Sequence, residues 1–368
     1  MKAYKRKFLY WPVLSLIVFG FMFYSKSMKS THIDGPYISW SQEDRVDFTY
    51  VGFDTIQRLS QPVDPGTDQT VLHGLLGDSD VEYPLRKKYQ PEASASFEAP
   101  RVLYLGNVYG DYDVLVDFLQ LYGVVDAENH WGWQNAHLVF TGNVFGYGAD
   151  VVKCLWLINR LEREATLTGG KVHLLIGDQE FKNLQGNIGT LNPRLYQRYN
   201  QAEIDYSTFY DTSTVQGKWL RSKDAVIRVN DNVVAHGGIS PGIVEDQLSL
   251  TEINSLVREQ LRGTGAEPDT TTHLVMGSDG PIRYSGYMDG GVENHQLLES
   301  TLDRVLNYYR ASSMIVSTTG TKEVRSVAGG KLYAIDLATE KTDITLEGLL
   351  EEDDTFYRLT SEGEKINL

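Results

Sequence analysis

Five short polar clusters in this chain each follow or close a stretch that reads as a β-strand, and their side chains are of the kinds that hold cations or phosphate. They are Gly106-Asn107-Val108-Tyr109-Gly110, Gly142-Asn143-Val144-Phe145-Gly146-Tyr147-Gly148, Gly177-Asp178-Gln179-Glu180, His236-Gly237-Gly238 and Ser317-Thr318-Thr319. Asn107, Asn143 and Asp178 offer oxygens and His236 a ring nitrogen. Such a set holds one hard divalent ion weakly, or closes on itself as a hydrogen-bonded polar cluster. Arg283, two residues before Ser285, reads either as an anion clamp or as a surface arginine paired with a carboxylate. Asp111 and Asp113 resemble paired carboxylates, but they fall where the following helix favours an acidic start, and a capping role is expected.

The elements that must position these clusters alternate as in an α/β domain. Val102–Leu105, His137–Thr141 and Lys171–Ile176 read as strands, with apolar residues at helical spacing over 114–122 and a helix over Val151–Leu167 closed by Gly169-Gly170. Ala225–Val229 and Val233–His236 read as a hairpin, Val292–Ala311 as a helix, and Met314–Val316 and Lys331–Ile335 as strands. The stretch 196–223 is expected to pack helically over the site. In such sheets the loops converge where the strands' carboxyl ends leave the sheet, so the five clusters are expected to meet.

Composition narrows the function classes. The chain has 368 residues, 41% of them apolar, and a formal net charge of −15. All six basic residues of the first thirty flank the uncharged run Phe8–Tyr24, so the remainder is more acidic still and repels nucleic acid. That run predicts an uncleaved membrane anchor with the folded part extracytoplasmic; the alternatives are a cleaved signal peptide with secretion, or a core helix. The lone Cys154 reads as a buried apolar side chain. The expected organisation is residues 1–30 as anchor and flanks, 31–98 as a small β appendage and linker, 99–340 as the principal domain and 341–368 as a loosely constrained acidic tail.

From Arg101 to Gly186, with His236-Gly237-Gly238-Ile239-Ser240-Pro241 and Gly280–Tyr287, the chain resembles the calcineurin-like metallophosphoesterases, within them the phosphoprotein phosphatase branch and its Shewanella-like group. Trp131, Gly169–His173 and Asn183–Gly186 carry the likeness beyond the clusters. The resemblance implies a sandwich of two mixed sheets flanked by helices, and two metal ions bridged by a carboxylate whose hydroxide attacks a phosphate ester. It also implies that Asn107 stands for a metal-binding Asp, Tyr109 for a His, Asn143 for the bridging Asp, Gly146 for a second Asp and Tyr147 for a phosphate-clamping Arg. Asp178 stands for the family's Asn and Gln179 for the proton-donating His, while His236 is retained. Ser317-Thr318-Thr319 replaces Gly-His-Thr, and Ser285 replaces a further Arg.

An amide oxygen is neutral and cannot bridge two cations as a carboxylate does, and Tyr, Gly and Thr supply no imidazole. Tyr109 and Tyr147 read as aromatic plugs. The expectation is a membrane-tethered pseudophosphatase with no cofactor and no intact catalytic residue, which binds an unidentified protein or phosphorylated ligand. The alternative is an active phosphoesterase with one weakly bound divalent metal at Asn107, Asn143, Asp178 and His236.

Overall fold

Alternate residues of one strand enter two different apolar layers, and this sets the architecture. The computed structural model describes residues 33–368 apart from 43, 53, 54, 65, 67, 75–80, 93, 94, 266, 289–294, 319 and 338–344. In strand β7 (Arg101–Leu105), Val102 and Tyr104 join a cluster with Ile227, Val229, Val234 and Ile315, whereas Leu103 and Leu105 pack in the main core with Leu115, Phe118 and Leu119. A strand with both faces apolar needs a layer on each side. The inner layer lies between two six-stranded sheets, and helices cover the outer faces.

The first sheet begins with three strands from the end of the chain, β17 (Lys365–Asn367), β16 (Thr355–Leu359) and β15 (Gly348–Glu352), and continues β7-β8-β9, with β7, β8 (His137–Phe140) and β9 (Lys171–Leu174) parallel. The second runs β13-β14-β12-β11-β10-β6, from β13 (Arg325–Val327) at one edge to β6 (Ser96–Phe97) at the other. In it β10 (Val226–Val229) and β11 (Asn232–Ala235) form the expected hairpin, turning at Asn230 with φ of 51°, and β12 (Ser313–Val316) and β14 (Leu332–Ala334) run parallel to β11. Helix α1 (Tyr112–Leu121) starts at Asp111, whose side chain accepts the Val114 N–H at 3.1 Å. That is the capping role expected of an Asp there. Helix α2 (Val151–Leu167) buries Cys154 and ends at Gly169, φ 82°. Burial pushes the Cys154 thiol well above its ordinary pKa.

Two expectations about the ends of the chain need correction or fall elsewhere. The acidic tail is no tail: β15 (Gly348–Glu352) pairs antiparallel with β7, Leu350 opposite Leu103, and β16 (Thr355–Leu359) and β17 (Lys365–Asn367) extend the sheet. Its charges are absorbed locally. Glu351 accepts hydrogen bonds from Tyr104, Asn230 and Asn232, and Asp353 and Asp354 form the turn. The run Phe8–Tyr24 lies outside the described residues, among which no helix is long and apolar enough to cross a membrane.

The β-prone stretch before the domain forms a three-stranded meander, β1 (Asp34–Gln42), β2 (Arg45–Val51) and β3 (Ile56–Pro62), and the pair β4 (Gln69–His73) and β5 (Glu82–Arg86). It is fixed to the domain: the Pro36 carbonyl accepts hydrogen bonds from Trp156 and Gln216, each at 2.9 Å. Strand β6 (Ser96–Phe97), inside the span read as appendage and linker, belongs to the second sheet beside β10.

Candidate functional site

The strand-end clusters meet. The N–H groups of Val108 and Tyr109, after β7, donate to the Asn143 carbonyl, after β8, at 3.2 and 2.9 Å. The Ser317 N–H, after β12, donates to the carbonyl of His236, after β11, at 2.8 Å. The loops at Gly142 and Gly177 touch so closely that a Cβ on Gly142, φ 104°, would stand 2.4 Å from the Gly177 nitrogen. One side chain locks this contact. Glu180, fully buried at the start of helix α3 (Asp178–Leu184), accepts N–H bonds from Asn143 at 2.7, Val144 at 2.7, Phe145 at 3.0 and Gly177 at 3.0 Å. Burial raises its carboxyl pKa, against the backbone N–H bonds from Phe145, Asn143 and Gly177, which pull it down.

Tyr109 is the centre of what fills the site. Its hydroxyl accepts the Asn107 amide N–H at 2.8 Å and lies beside the Asn143 side chain. Its ring leans on Tyr147, centroids 5.9 Å apart. Asn107 also donates to Asp336, a buried carboxyl just after β14 whose pKa burial lifts to about 7. The Asn107 side-chain oxygen is buried without a hydrogen-bond partner among the described residues. A carboxylate at 107 could make neither donation, so the carboxamide suits this arrangement better than the acid it replaces.

Asn143, φ 54°, spends its side-chain oxygen on the Gln179 N–H at 2.9 Å. Gln179 is buried, and its own oxygen accepts the Thr190 hydroxyl at 2.6 Å, so the position that holds a proton donor in the family is tied into the wall. Asp178 is held by Lys182 and by Arg283, whose Nε lies 3.3 Å from Oδ1. Arg283 sits in a turn rather than on a strand. Its N–H and that of Tyr284 both fold back to the Gly280 carbonyl, at 3.0 and 2.9 Å, so the two-residue spacing of Arg283 and Ser285 does not put them on one face of a strand.

His236 keeps a single defined tautomer. The Thr141 hydroxyl donates to the Leu105 carbonyl at 3.0 Å, so the contact between Thr141 and Ser317, 2.7 Å, is donated by Ser317. Ser317 then accepts from His236 Nδ1 at 2.9 Å, and Nδ1 also faces the Thr141 carbonyl at 3.1 Å. Nδ1 therefore carries the proton. Burial lowers the ring's pKa to about 4, against a smaller upward pull from Asp178, so at neutral pH Nε2 holds a lone pair. Thr318 contacts the Tyr284 carbonyl at 3.4 Å; Thr319 lies outside the described residues.

The dinuclear centre of the resembling family does not fit these residues. Among the described residues no group of three or more His, Cys, Asp or Glu side chains is placed to hold a metal ion. Asn107 directs its amide N–H groups at Tyr109 and Asp336, the opposite polarity to a cation ligand, and Asn143 spends its side-chain oxygen on the Gln179 N–H. Stretch 196–223 does reach the site's second loop. Phe145 packs on Tyr210, centroids 4.8 Å apart; just ahead of the stretch, Asn192 donates to the Tyr147 carbonyl at 2.7 Å. A cavity of about 350 Å³ elsewhere, between β9, α2 and the β4–β5 pair, is lined by none of the strand-end residues.

Three participants escaped the sequence reading. Glu180 lies inside a quoted cluster, but its role needs the four N–H groups aimed at it. Asp336 follows a strand, as the other site residues do, and that rule applied once more to Ile335-Asp336 finds it. Lys182 gave no signal beyond its place four residues after Asp178 on a helix.

No family model matches the chain. It is 24% identical over 244 residues to Shewanella-like protein phosphatase 1 of Plasmodium berghei, a match covering 64% of this chain and 66% of that one. An uncharacterized protein of Schizosaccharomyces pombe is 33% identical over 230 residues, covering 60% of this chain and 69% of that protein. Shewanella-like protein phosphatase 2 of Arabidopsis thaliana matches over 120 residues at 27%, so the chain spans less than two thirds of the length of both named phosphatases. The crystal structure of a cold-active protein-tyrosine phosphatase from a psychrophilic Shewanella superposes with a TM-score of 0.80 at 25% identity, over 92% of this chain and 100% of that one. With the convergent strand-end loops, these likenesses establish that the chain belongs to the phosphoprotein phosphatase branch of the calcineurin-like metallophosphoesterases, in its Shewanella-like group.

Proposed function

We propose that this chain acts by binding through the remodelled cleft and does not hydrolyse phosphate esters. The observation that carries this reading is the Tyr109 hydroxyl, bonded by Asn107 and flanked by the Asn143 side chain, where the family would place metal ligands. Family chemistry draws the nucleophile and the neutralisation of phosphoryl charge from two metal ions. Enzymes lower barriers by roughly 8–23 kcal/mol, and positioned acid–base groups supply about 10²- to 10⁴-fold in rate. Gln179 carries no transferable proton, and no retained group at these positions makes up the difference.

The proposal extends to place. The basic-flanked apolar run Phe8–Tyr24 supports tethering to a membrane with the folded part outside the cytoplasm. A second reading, a phosphoesterase with a single weakly held divalent ion, draws support from the unprotonated Nε2 of His236 and from the nearby Asp178.

The test is release of phosphate from p-nitrophenyl phosphate and from phosphopeptides by the purified chain, with and without added Mn²⁺. Release no faster than in buffer is expected. Turnover that disappears in the Asp178→Ala variant would overturn the reading.

A further inference from the structure

Asp178 is an internal carboxylate seated between two cations. Lys182 Nζ grips one of its oxygens, and Arg283 Nε approaches the other at 3.3 Å. Both cationic side chains are 36% exposed and the carboxylate 22%, so the cluster opens toward solvent. The Arg283 guanidinium lies over the Phe181 ring, 4.5 Å from its centre, which fixes the plane of its donors. Its two terminal amino groups make no hydrogen bond to the described residues. One carboxylate against two cations leaves a local positive charge in a chain whose net charge is −15.

We propose that Lys182 and Arg283 form a seat for a phosphate monoester, as on a phosphorylated side chain of a partner protein, and that Asp178 is the internal competitor which the incoming phosphoryl group displaces. The inference rests on the binding reading above and names the ligand class and the gate of that same cleft. A phosphate dianion brings twice the charge of a carboxylate and can accept two parallel N–H bonds from a guanidinium, so it outcompetes Asp178 on both counts. Exposure makes the competition sensitive to salt. Asp178 thereby sets a threshold, since an anion weaker than phosphate leaves the seat closed.

The test is calorimetric titration of the purified full chain with inorganic phosphate, a phosphoserine peptide and its unphosphorylated twin. Asp178→Asn is expected to tighten both phosphate probes roughly fivefold, the scale of one exposed ion pair, because it keeps the shape and removes the competing charge. Arg283→Met and Lys182→Met, each also made in the Asp178→Asn background, are expected to weaken both probes by at least that factor. Unchanged or weaker affinity in Asp178→Asn, indifference to Arg283→Met, or equal binding of the unphosphorylated twin would overturn the seat. Affinity for free phosphate with none for the peptide would overturn the phosphoprotein ligand. Hydrolysis of the peptide bears only on the non-catalytic reading, and the order of affinities still decides the seat.

Discussion

Gly146 and Tyr109 occupy one space: a Cβ on Gly146 would stand 2.5 Å from Tyr109 Cδ1 and 2.8 Å from both its Cα and its Cβ. Because the Cα and Cβ take part, the conflict comes from the backbone of residue 109, at φ 53°, as much as from the ring. Two departures from the family pattern are thus one structural event. Gly146→Ala is expected to destabilise the fold by about 1–3 kcal/mol, the usual scale of overpacking. Combined with Tyr109→Gly, which removes two of the three close atoms and suits a positive φ, it should cost less than the sum of the single changes. Urea unfolding of the four proteins in the cycle checks this, and strict additivity would contradict it.

Asn107 joins Asp336 to Tyr109 through one amide group. Asn107→Asp removes both donations and sets a second carboxylate against Asp336. A loss of about 1–3 kcal/mol at pH 8 is expected, the scale for stranding buried polar groups. Thermal unfolding of the variant beside the parent measures it, and equal stability would show that the network does not hold the loop.

Glu180→Gln tests what holds the loops together. The carboxylate accepts four N–H groups, and the amide's NH₂ must face two of them. Loss of charge-assisted bonds and two opposed donors should cost about 3 kcal/mol or more. The readout is urea unfolding, with hydrogen exchange at Asn143, Val144 and Phe145 expected to quicken first. Exchange that stays slow there would refute the assignment.

His137 and His173 face each other inside the first sheet, Nδ1 to Nε2 at 3.2 Å, so both rings are neutral and one donates to the other. Burial lowers His137 to about 4 and His173 well below its ordinary value. A folded pKa below the unfolded one means that the unfolded chain binds more protons. Their contribution is therefore complete above about pH 6.5 and lost as pH falls toward 4. Asp224, lifted by burial to about 6, runs the opposite way, since its folded form binds the extra proton. The contrast between proteins isolates the histidines: His173→Phe should flatten the fall in melting temperature between pH 6.5 and 4. An unaltered slope would contradict the pairing.

Much of this was legible before any coordinates. Apolar residues and terminal glycines place α2, and Asn230-Asp231 places the β10–β11 turn, because those signals are local. Strand ends identified Asn107, Asn143, Asp178 and His236 as neighbours. Strand β15 was hidden because its Glu351 and the adjoining Glu352, Asp353 and Asp354 read as a solvated acidic run, and only cross-sheet bonds from Tyr104, Asn230 and Asn232 explain a buried Glu351. The role of Tyr109 was half visible. Aromatic bulk could be read from its type, but its bond from the Asn107 amide and the space denied to Gly146 depend on a backbone conformation that no side-chain pattern announces.

The central claim is that Tyr109 and its carboxamide partners stand where two metal ions would. Elemental analysis of the purified chain, equilibrated with excess Mn²⁺ and then dialysed, tests it most directly. The account requires well under one metal per chain, and no gain in thermal stability from the ion. Two tightly held equivalents per chain, lost together on Asn143→Ala and His236→Ala, would contradict it.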